Sequence, residues 1–334
     1  SIATGMYAEN HGLIGNHFYD AELDDNYTLS DRSKVQDSKF YGGEPIWVTA
    51  EKQGLKTASY FWVGTEAPIG GIYPSKWKKY EHNFPFEARI DSIVSWFSLP
   101  LKERPRFCLL YFHEPDWTGH ETGPRSQETE AVVSHLDSLF GDLISKLEQL
   151  PISNNLNIIA LADHGMAEIS SERTVDLSAY TDMSQIIQEG SGPYAFLYSK
   201  RKNIIEPAVD QLKKAEHISV YLKSDIPDRY HFKNHHRIKD ALIVADEGWY
   251  IQNQAISSSS TAGEYVPTGG THGYDNQLKS MHALFIAQGP AFKNDIVTEP
   301  FENVNIYPMI AHILGIDPSK KIDGNLNNIK HLLK

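Results

Sequence analysis

Three short stretches of this 334-residue chain carry side chains able to converge on a metal ion. "IIALADHGM" (158–166) runs an apolar, strand-like segment directly into Asp163 and His164, with Gly165 next. Burying an ionisable pair is costly unless something compensates the charge, and a plain turn would more naturally use Asn-Gly or Asp-Gly. "HEPDWTGHETGP" (113–124) places Asp116 and His120 four residues apart just after another apolar run. That spacing lets both side chains face one point from a tight loop or a single helical turn. "TGGTHGYDN" (268–276) sets His272 between Thr271 and Gly273. A lone histidine is more often exposed or structural than a ligand. What singles out these five residues is the recurring order of strand end, Asp or His, then Gly. Three histidines and two carboxylates form a nitrogen and oxygen donor set suited to zinc or a similar divalent ion. Five donors exceed the three protein ligands of one catalytic zinc, which implies a two-metal site. "HFKNHHR" (231–237), with His231, His235 and His236, lacks that order and reads as solvated surface.

The elements that must position these residues alternate between strand and helix patterns. "TASYFWVG" (57–64), "RFCLLYFHEPD" (106–116), "LNIIALAD" (156–163) and "HALFIAQGPAF" (282–292) read as strands. "FEARIDSIVSWFSLP" (86–100) reads as a helix stopped by Pro100. Val132, Val133, Leu136, Leu139, Phe140, Leu143, Ile144 and Leu147 recur at helical steps, with Gly123-Pro124 before them and Pro151 after. Continuous apolar strands separated by amphipathic helices predict an α/β fold, a mostly parallel sheet with helices on both faces. In such sheets ligands gather beyond the carboxyl ends of the strands, where the acidic and histidine corners lie. Residues 195–255 read differently: "AFLYSK", "SVYLK" and "ALIVADEGWYI" are strand-like, with a helical "IIEPAVDQLKKAE" between the first two. The expected organisation is a core of residues 1–194 and 256–334 with a small inserted α+β lobe, 195–255, capping it. "NQAISSSSTAGEYVPTGG" (253–270) is a Ser/Gly-rich loop, expected to be flexible or poised over the site.

Composition narrows the partners. Apolar residues make up 40% and charged residues 22%, ordinary for a globular chain. The net charge of −12 argues against a nucleic-acid polymer or an anionic membrane as main partner, but not against a small anion held by metal. The single cysteine, Cys108, excludes an intrachain disulfide and reads as a buried small hydrophobe. No stretch is long and apolar enough to span a bilayer, and no charged-then-apolar signal segment opens the chain.

Together, "TGMYAENHGLIGN" (4–16), "GGEPIWVTAEKQG" (42–54), "EPDWTGHETGP" (114–124), "ADHGM" (162–166) and "THGYDN" (271–276) resemble the nucleotide pyrophosphatase/phosphodiesterase, or type I phosphodiesterase, family of the alkaline phosphatase superfamily. The resemblance covers essentially the whole chain. It implies an alkaline phosphatase-like core and two divalent ions, zinc by preference. Asp116, His120 and His272 match the ligands of one ion, and Asp163 and His164 match two ligands of the other. Asn16 matches the amide that donates to a phosphoryl oxygen, and Tyr80 and Tyr111 match aromatics flanking the nucleoside pocket. Without the resemblance, Tyr80 in "SKWKKY" reads as an ordinary surface aromatic. The implied reaction is attack by a threonine hydroxyl on a nucleotide pyrophosphate or phosphodiester, through a nucleotidyl-threonine intermediate, releasing a nucleoside monophosphate.

Aligned on the family, that threonine and a metal-binding aspartate fall a few residues before Ser1. Thr4 matches a further threonine of the family and reads as structural. Residues 1–334 alone are therefore expected to turn over little. A sulfatase is disfavoured because Cys108-Leu109-Leu110 lacks the Cys-x-Pro-x-Arg pattern. A phosphomonoesterase is disfavoured because no arginine accompanies the motifs. A lysophospholipid or choline-phosphate diesterase stays open, as does an inactive relative that binds metal and nucleotide. By family analogy the protein is secreted, periplasmic or surface-anchored, and "NYT" (26–28) is a glycosylation sequon.

Overall fold

Thr57–Tyr60 forms the centre of a parallel sheet, flanked by Lys76–Lys78 and Phe107–Leu110, with Ala58 opposite both Lys76 and Cys108. The structure is a computed structural model describing residues 1–253 and 267–334; most of the Ser/Gly-rich loop, 254–266, lies outside the described residues. All four residues of the central strand are buried, including two that are polar. Both hydroxyls are satisfied: Thr57 donates to Glu51 Oε1 at 2.8 Å, and Ser59 lies 2.9 Å from the Thr65 hydroxyl. Helices Phe86–Phe97 and Gln127–Glu148 cover one face, where Ile90, Ile93, Leu139, Leu143 and Leu147 pack against Tyr60. On the other face Leu109 meets Ile46, Trp47 and Val48 of helix Ile46–Lys52 and Tyr307 and Ala311 of helix Ile306–Leu314. A parallel sheet with helices on both faces is thus observed. Gln127–Glu148 starts where Ser126 accepts the Thr129 N–H at 3.1 Å, and it ends short of Pro151. Cys108 is half-buried, on the face covered by Phe86–Phe97 and Gln127–Glu148.

The strands are shorter than the apolar runs suggest, because the runs continue into corners. Ile158–Leu161 pairs antiparallel with Phe285–Gln288, so the sheet elements of this protein are mixed in direction. Among the described residues the largest sheet is antiparallel, ordered Ile218–Leu222, Ala241–Ala245, Tyr194–Tyr198 and Ile187–Glu189. Ala241–Ala245 is buried throughout for a two-sided reason. Ala241, Ile243 and Ala245 face Val209 and Leu212 of helix Ile205–Leu212. Leu242 and Val244 face Ile14, Phe18 and Tyr27, the last two from the hairpin of His17–Asp20 and Asp25–Thr28. The "HFKNHHR" stretch is less exposed than its polarity suggests. Arg237 is 5% exposed, donating to the buried Asp20 carboxylate at 2.6 Å, and His231 stacks on Tyr7 at 3.7 Å between ring centroids.

Candidate metal centre

Helix Asp116–Thr122 follows the parallel strand Phe107–Leu110 after the corner 111–115, and its first turn puts Asp116 and His120 on one face. The carboxylate and the imidazole face each other, His120 Nε2 lying 3.3 Å from Asp116 Oδ1. Asp163 and His164 follow the strand Ile158–Leu161. Gly165 comes next because a Cβ there would lie 2.0 Å from the Ser280 carbonyl oxygen, so only glycine fits. His272 arrives through an antiparallel bridge in which Gly270 and Thr271 oppose Glu168 and Ala167. Gly270 is also constrained, since a Cβ would meet the Gly119 carbonyl oxygen at 2.7 Å. That close approach brings the His272 and His164 rings face to face, 3.4 Å apart and 10° from parallel.

All five expected residues therefore gather in one place. Around Asp116 Oδ1 stand the Nε2 atoms of His120, His272 and His164, at 3.3, 3.6 and 3.9 Å. Asp163 lies at the rim, 70% exposed, its Oδ2 3.5 Å from His164 Nε2. Asp116, His120 and His272 each offer one ligand atom, all within 4.8 Å of one another. Asp116 Oδ1 is sealed from solvent and, among the described residues, accepts no hydrogen bond. The tautomers explain why. His120 Nδ1 is 2.8 Å from the Gly270 carbonyl and His164 Nδ1 is 2.9 Å from that of Gly165. A carbonyl only accepts, so each Nδ1 carries the proton and, in the neutral ring, each Nε2 presents a lone pair. Lone pairs and a carboxylate pointed at one another repel unless a cation lies among them. A backbone carbonyl on the distal ring nitrogen is also the usual support of a metal-binding histidine. The donor set fits a divalent metal.

The electrostatics carry the same tension. Burial pushes the Asp116 carboxyl up, but the contact with His120 and the fields of His272 and His164 more than reverse it. His120 is raised, chiefly by its contact with Asp116. His272 is held down to about 4, by burial first and then by the neighbouring His164.

The other expected residues are placed less directly. Asn16 is exposed, and among the described residues its amide enters no hydrogen bond, while its carbonyl accepts the Leu29 N–H at 2.8 Å. Its neighbour Gly15 packs against Tyr194, as does Gly273 beside His272. Tyr80 is not the surface aromatic its context suggests. Trp77 stacks with Tyr73 instead, whereas Tyr80 is half-buried, edge-on to Phe61 at 5.2 Å, with its hydroxyl 3.0 Å from His82 Nδ1. Tyr111 has its hydroxyl pushed up by burial and then by the fields of Asp163, Tyr80 and Asp116, which marks it as close to the carboxylates.

Several residues around this wall escape a motif-based reading. Arg32 lies over the Tyr80 ring at 5.5 Å and pairs with the buried Glu66, which also accepts the Tyr80 N–H at 2.8 Å. Arg89, wholly buried, donates to the Tyr111 carbonyl at 3.0 Å and to those of His82 and Phe84. So arginines do accompany the site, though both are committed to protein partners. For Arg89 the signal is an arginine in the apolar helix "FEARIDSIVSWF", which nothing local explains; Arg32 has no such signal. Trp117, next to Asp116, is 52% exposed and 4.9 Å from the His82 ring.

Known proteins are similar to this chain in sequence and fold. The family model for type I phosphodiesterase / nucleotide pyrophosphatase matches residues 1–275. A venom phosphodiesterase of Naja atra is 39% identical across the whole chain, which covers 40% of that protein. Ectonucleotide pyrophosphatase/phosphodiesterase family member 3 of Rattus norvegicus is 36% identical, again across the whole chain and over 38% of its own length. The chain thus spans about two fifths of these relatives. Among solved structures, murine ectonucleotide pyrophosphatase / phosphodiesterase 5 superposes with a TM-score of 0.90 at 32% identity, covering all of this chain and 86% of that one. An inactive form of the murine protein has been solved in complex with AMP. The human counterpart gives a TM-score of 0.91 at 33% identity with the same coverage. With its motifs, its fold and the convergence of Asp116, His120 and His272 in agreement, the chain belongs to the type I phosphodiesterase/nucleotide pyrophosphatase family.

Proposed function

We propose that this chain forms the metal-holding part of a hydrolase acting on nucleotide pyrophosphates or phosphodiesters. Asp116, His120 and His272 hold one divalent ion, zinc by preference, and Asp163 and His164 contribute to a second. The observation that carries this reading is the sealed, unpartnered Asp116 Oδ1 facing three Nε2 atoms at 3.3–3.9 Å. Such ions, when bound, polarise a phosphoryl oxygen and lower the pKa of an attacking hydroxyl. The chain's own residues do the rest. The Gly270 and Gly165 carbonyls orient His120 and His164. Asn16, its amide free among the described residues, donates to a phosphoryl oxygen. Tyr80 and Tyr111 flank the nucleoside. A threonine hydroxyl is the proposed nucleophile and a nucleoside monophosphate the product, consistent with the AMP complex of the murine relative. Residues 195–255 serve as the capping part of a core made by 1–194 and 256–334. Relatives named venom and ecto enzymes support an exported or surface location.

Zinc titration against a chromophoric chelator tests the metal reading. His120→Ala and Asp116→Asn should each weaken binding by at least about tenfold; a His120→Ala protein that binds zinc like wild type would sink it. With zinc bound, Tyr80→Ala should weaken AMP binding by roughly tenfold to a hundredfold, at about 1–3 kcal/mol per stacked base, and ribose 5-phosphate binding much less. Equal losses on both ligands would remove the nucleoside assignment and favour a choline-phosphate ester as substrate.

A further inference from the structure

We propose that Arg229 and Tyr230 are positioning residues for His272, acting through the carboxylate of Asp275. This rests on the metal reading above and adds to it. His272 opens a four-residue segment, 272–275, whose next three members are each held by the antiparallel-sheet region. Gly273 packs on Pro193 and Tyr194. Tyr274, 5% exposed, donates its hydroxyl to the Trp249 carbonyl at 2.8 Å. Asp275 accepts Arg229 Nη1 on Oδ1 at 2.7 Å, and Arg229 Nη2 and the Tyr230 hydroxyl on Oδ2, the latter at 3.0 Å. A planar guanidinium fork on a carboxylate restrains orientation as well as distance. On its other side His272 follows Thr271, paired with Ala167. The imidazole therefore sits between a two-residue bridge to the His164 segment and a clamp drawn from residues more than forty positions earlier. Its alignment on Asp116, 3.6 Å from Nε2 to Oδ1, depends on both ends being fixed.

The clamp is partly exposed, Arg229 by 37% and Asp275 by 27%. Such pairs add little to global stability, so their effect should appear at the ligand they orient. Arg229→Ala should raise the zinc dissociation constant about five- to tenfold, below the full effect of losing a direct ligand support. Its urea midpoint should move little. Arg229→Lys keeps the charge without the fork and should fall between alanine and wild type. Asp275→Ala, which also releases Tyr230, should cost at least as much as Arg229→Ala, and the double variant should be no worse than Asp275→Ala. Lys146→Ala, which breaks a surface pair with Asp91 and Asp142, should leave zinc affinity unchanged. Wild-type zinc affinity in Arg229→Ala, or losses in the two single variants that simply add, would overturn the proposal while leaving the metal site intact. Failure of wild type itself to bind zinc would instead overturn the metal reading and this inference with it. Should Arg229→Ala not fold, Tyr230→Phe carries the test, with a loss of about threefold expected from one hydrogen bond and none overturning the clamp.

Discussion

Replacing Arg89 with methionine should loosen the aromatic wall beside the metal centre and cost the protein much of its stability. The guanidinium is 0% exposed and, among the described residues, forms no ion pair. It donates instead to three carbonyls: Phe84 from Nε at 3.1 Å and from Nη2 at 2.8 Å, His82 from Nη2 at 3.2 Å, and Tyr111 from Nη1 at 3.0 Å. Phe86, Phe61 and Phe112 surround it, with ring centroids 4.6, 4.9 and 5.9 Å away. Each carbonyl left without a donor in a buried place costs about 1–3 kcal/mol, so three would cost roughly 3–9. Two effects reduce that. Methionine does not require a charge to be buried, and the half-buried 82–84 stretch can turn to water. A net loss of about 3–5 kcal/mol remains, against a typical total of 5–15. Urea unfolding, read as the midpoint at unchanged slope, measures it. Arg89→Lys should rescue only partly, because one ammonium cannot span three carbonyls in a plane. AMP binding to the zinc-loaded chain should weaken in Arg89→Met, since Arg89 ties the Tyr111 strand end to the loop that follows Tyr80. A stability loss below about 1 kcal/mol would show that these carbonyls are not dependent on Arg89.

Asp20→Ala should destabilise by about 3–5 kcal/mol at neutral pH, because it strands the buried Arg237 beside an empty position. Burial raises the Asp20 carboxyl, but hydrogen bonds from Arg237, the Leu23 N–H and His236 together more than reverse this and leave it below the usual range. Its contribution is therefore present above about pH 4 and lost as pH falls through the lower folded value, so the gap to wild type should narrow in strong acid. His235 is held down to about 4, by burial first and then by the fields of His236 and Arg237. Between roughly pH 6.5 and that value the unfolded chain binds more protons, so stability should fall on acidification; denaturation midpoints for His235→Gln should show a flatter slope there. An unchanged slope would mean that His235 titrates alike in both states.

Local chemistry along the chain already carried much of this description. Asp116 and His120 share a helix face because residues four apart always do. Helix Gln127–Glu148 is legible because its apolar period, the Gly123-Pro124 before it and the later Pro151 all belong to one contiguous stretch. The strand-to-corner transitions at 110 and 161 are legible for the same reason, as are the glycines that accompany them. Pairing over long separations is not written in any such period. The antiparallel direction of Phe285–Gln288 against Ile158–Leu161 depends on which edge the returning chain reaches, since either direction buries the same apolar face. Tyr80 sits in a run of lysines, and only its packing on Phe61 and the Glu66 carboxylate turns it inward. Arg89 stands unexplained in an apolar helix until the fold surrounds it with carbonyls and phenyl rings. His272 joins His164 from more than a hundred residues away through a two-residue bridge that only glycine at 270 allows. Residue types and near-neighbour spacing set which groups can do chemistry; the closure of distant segments under burial and hydrogen bonding sets where those groups meet.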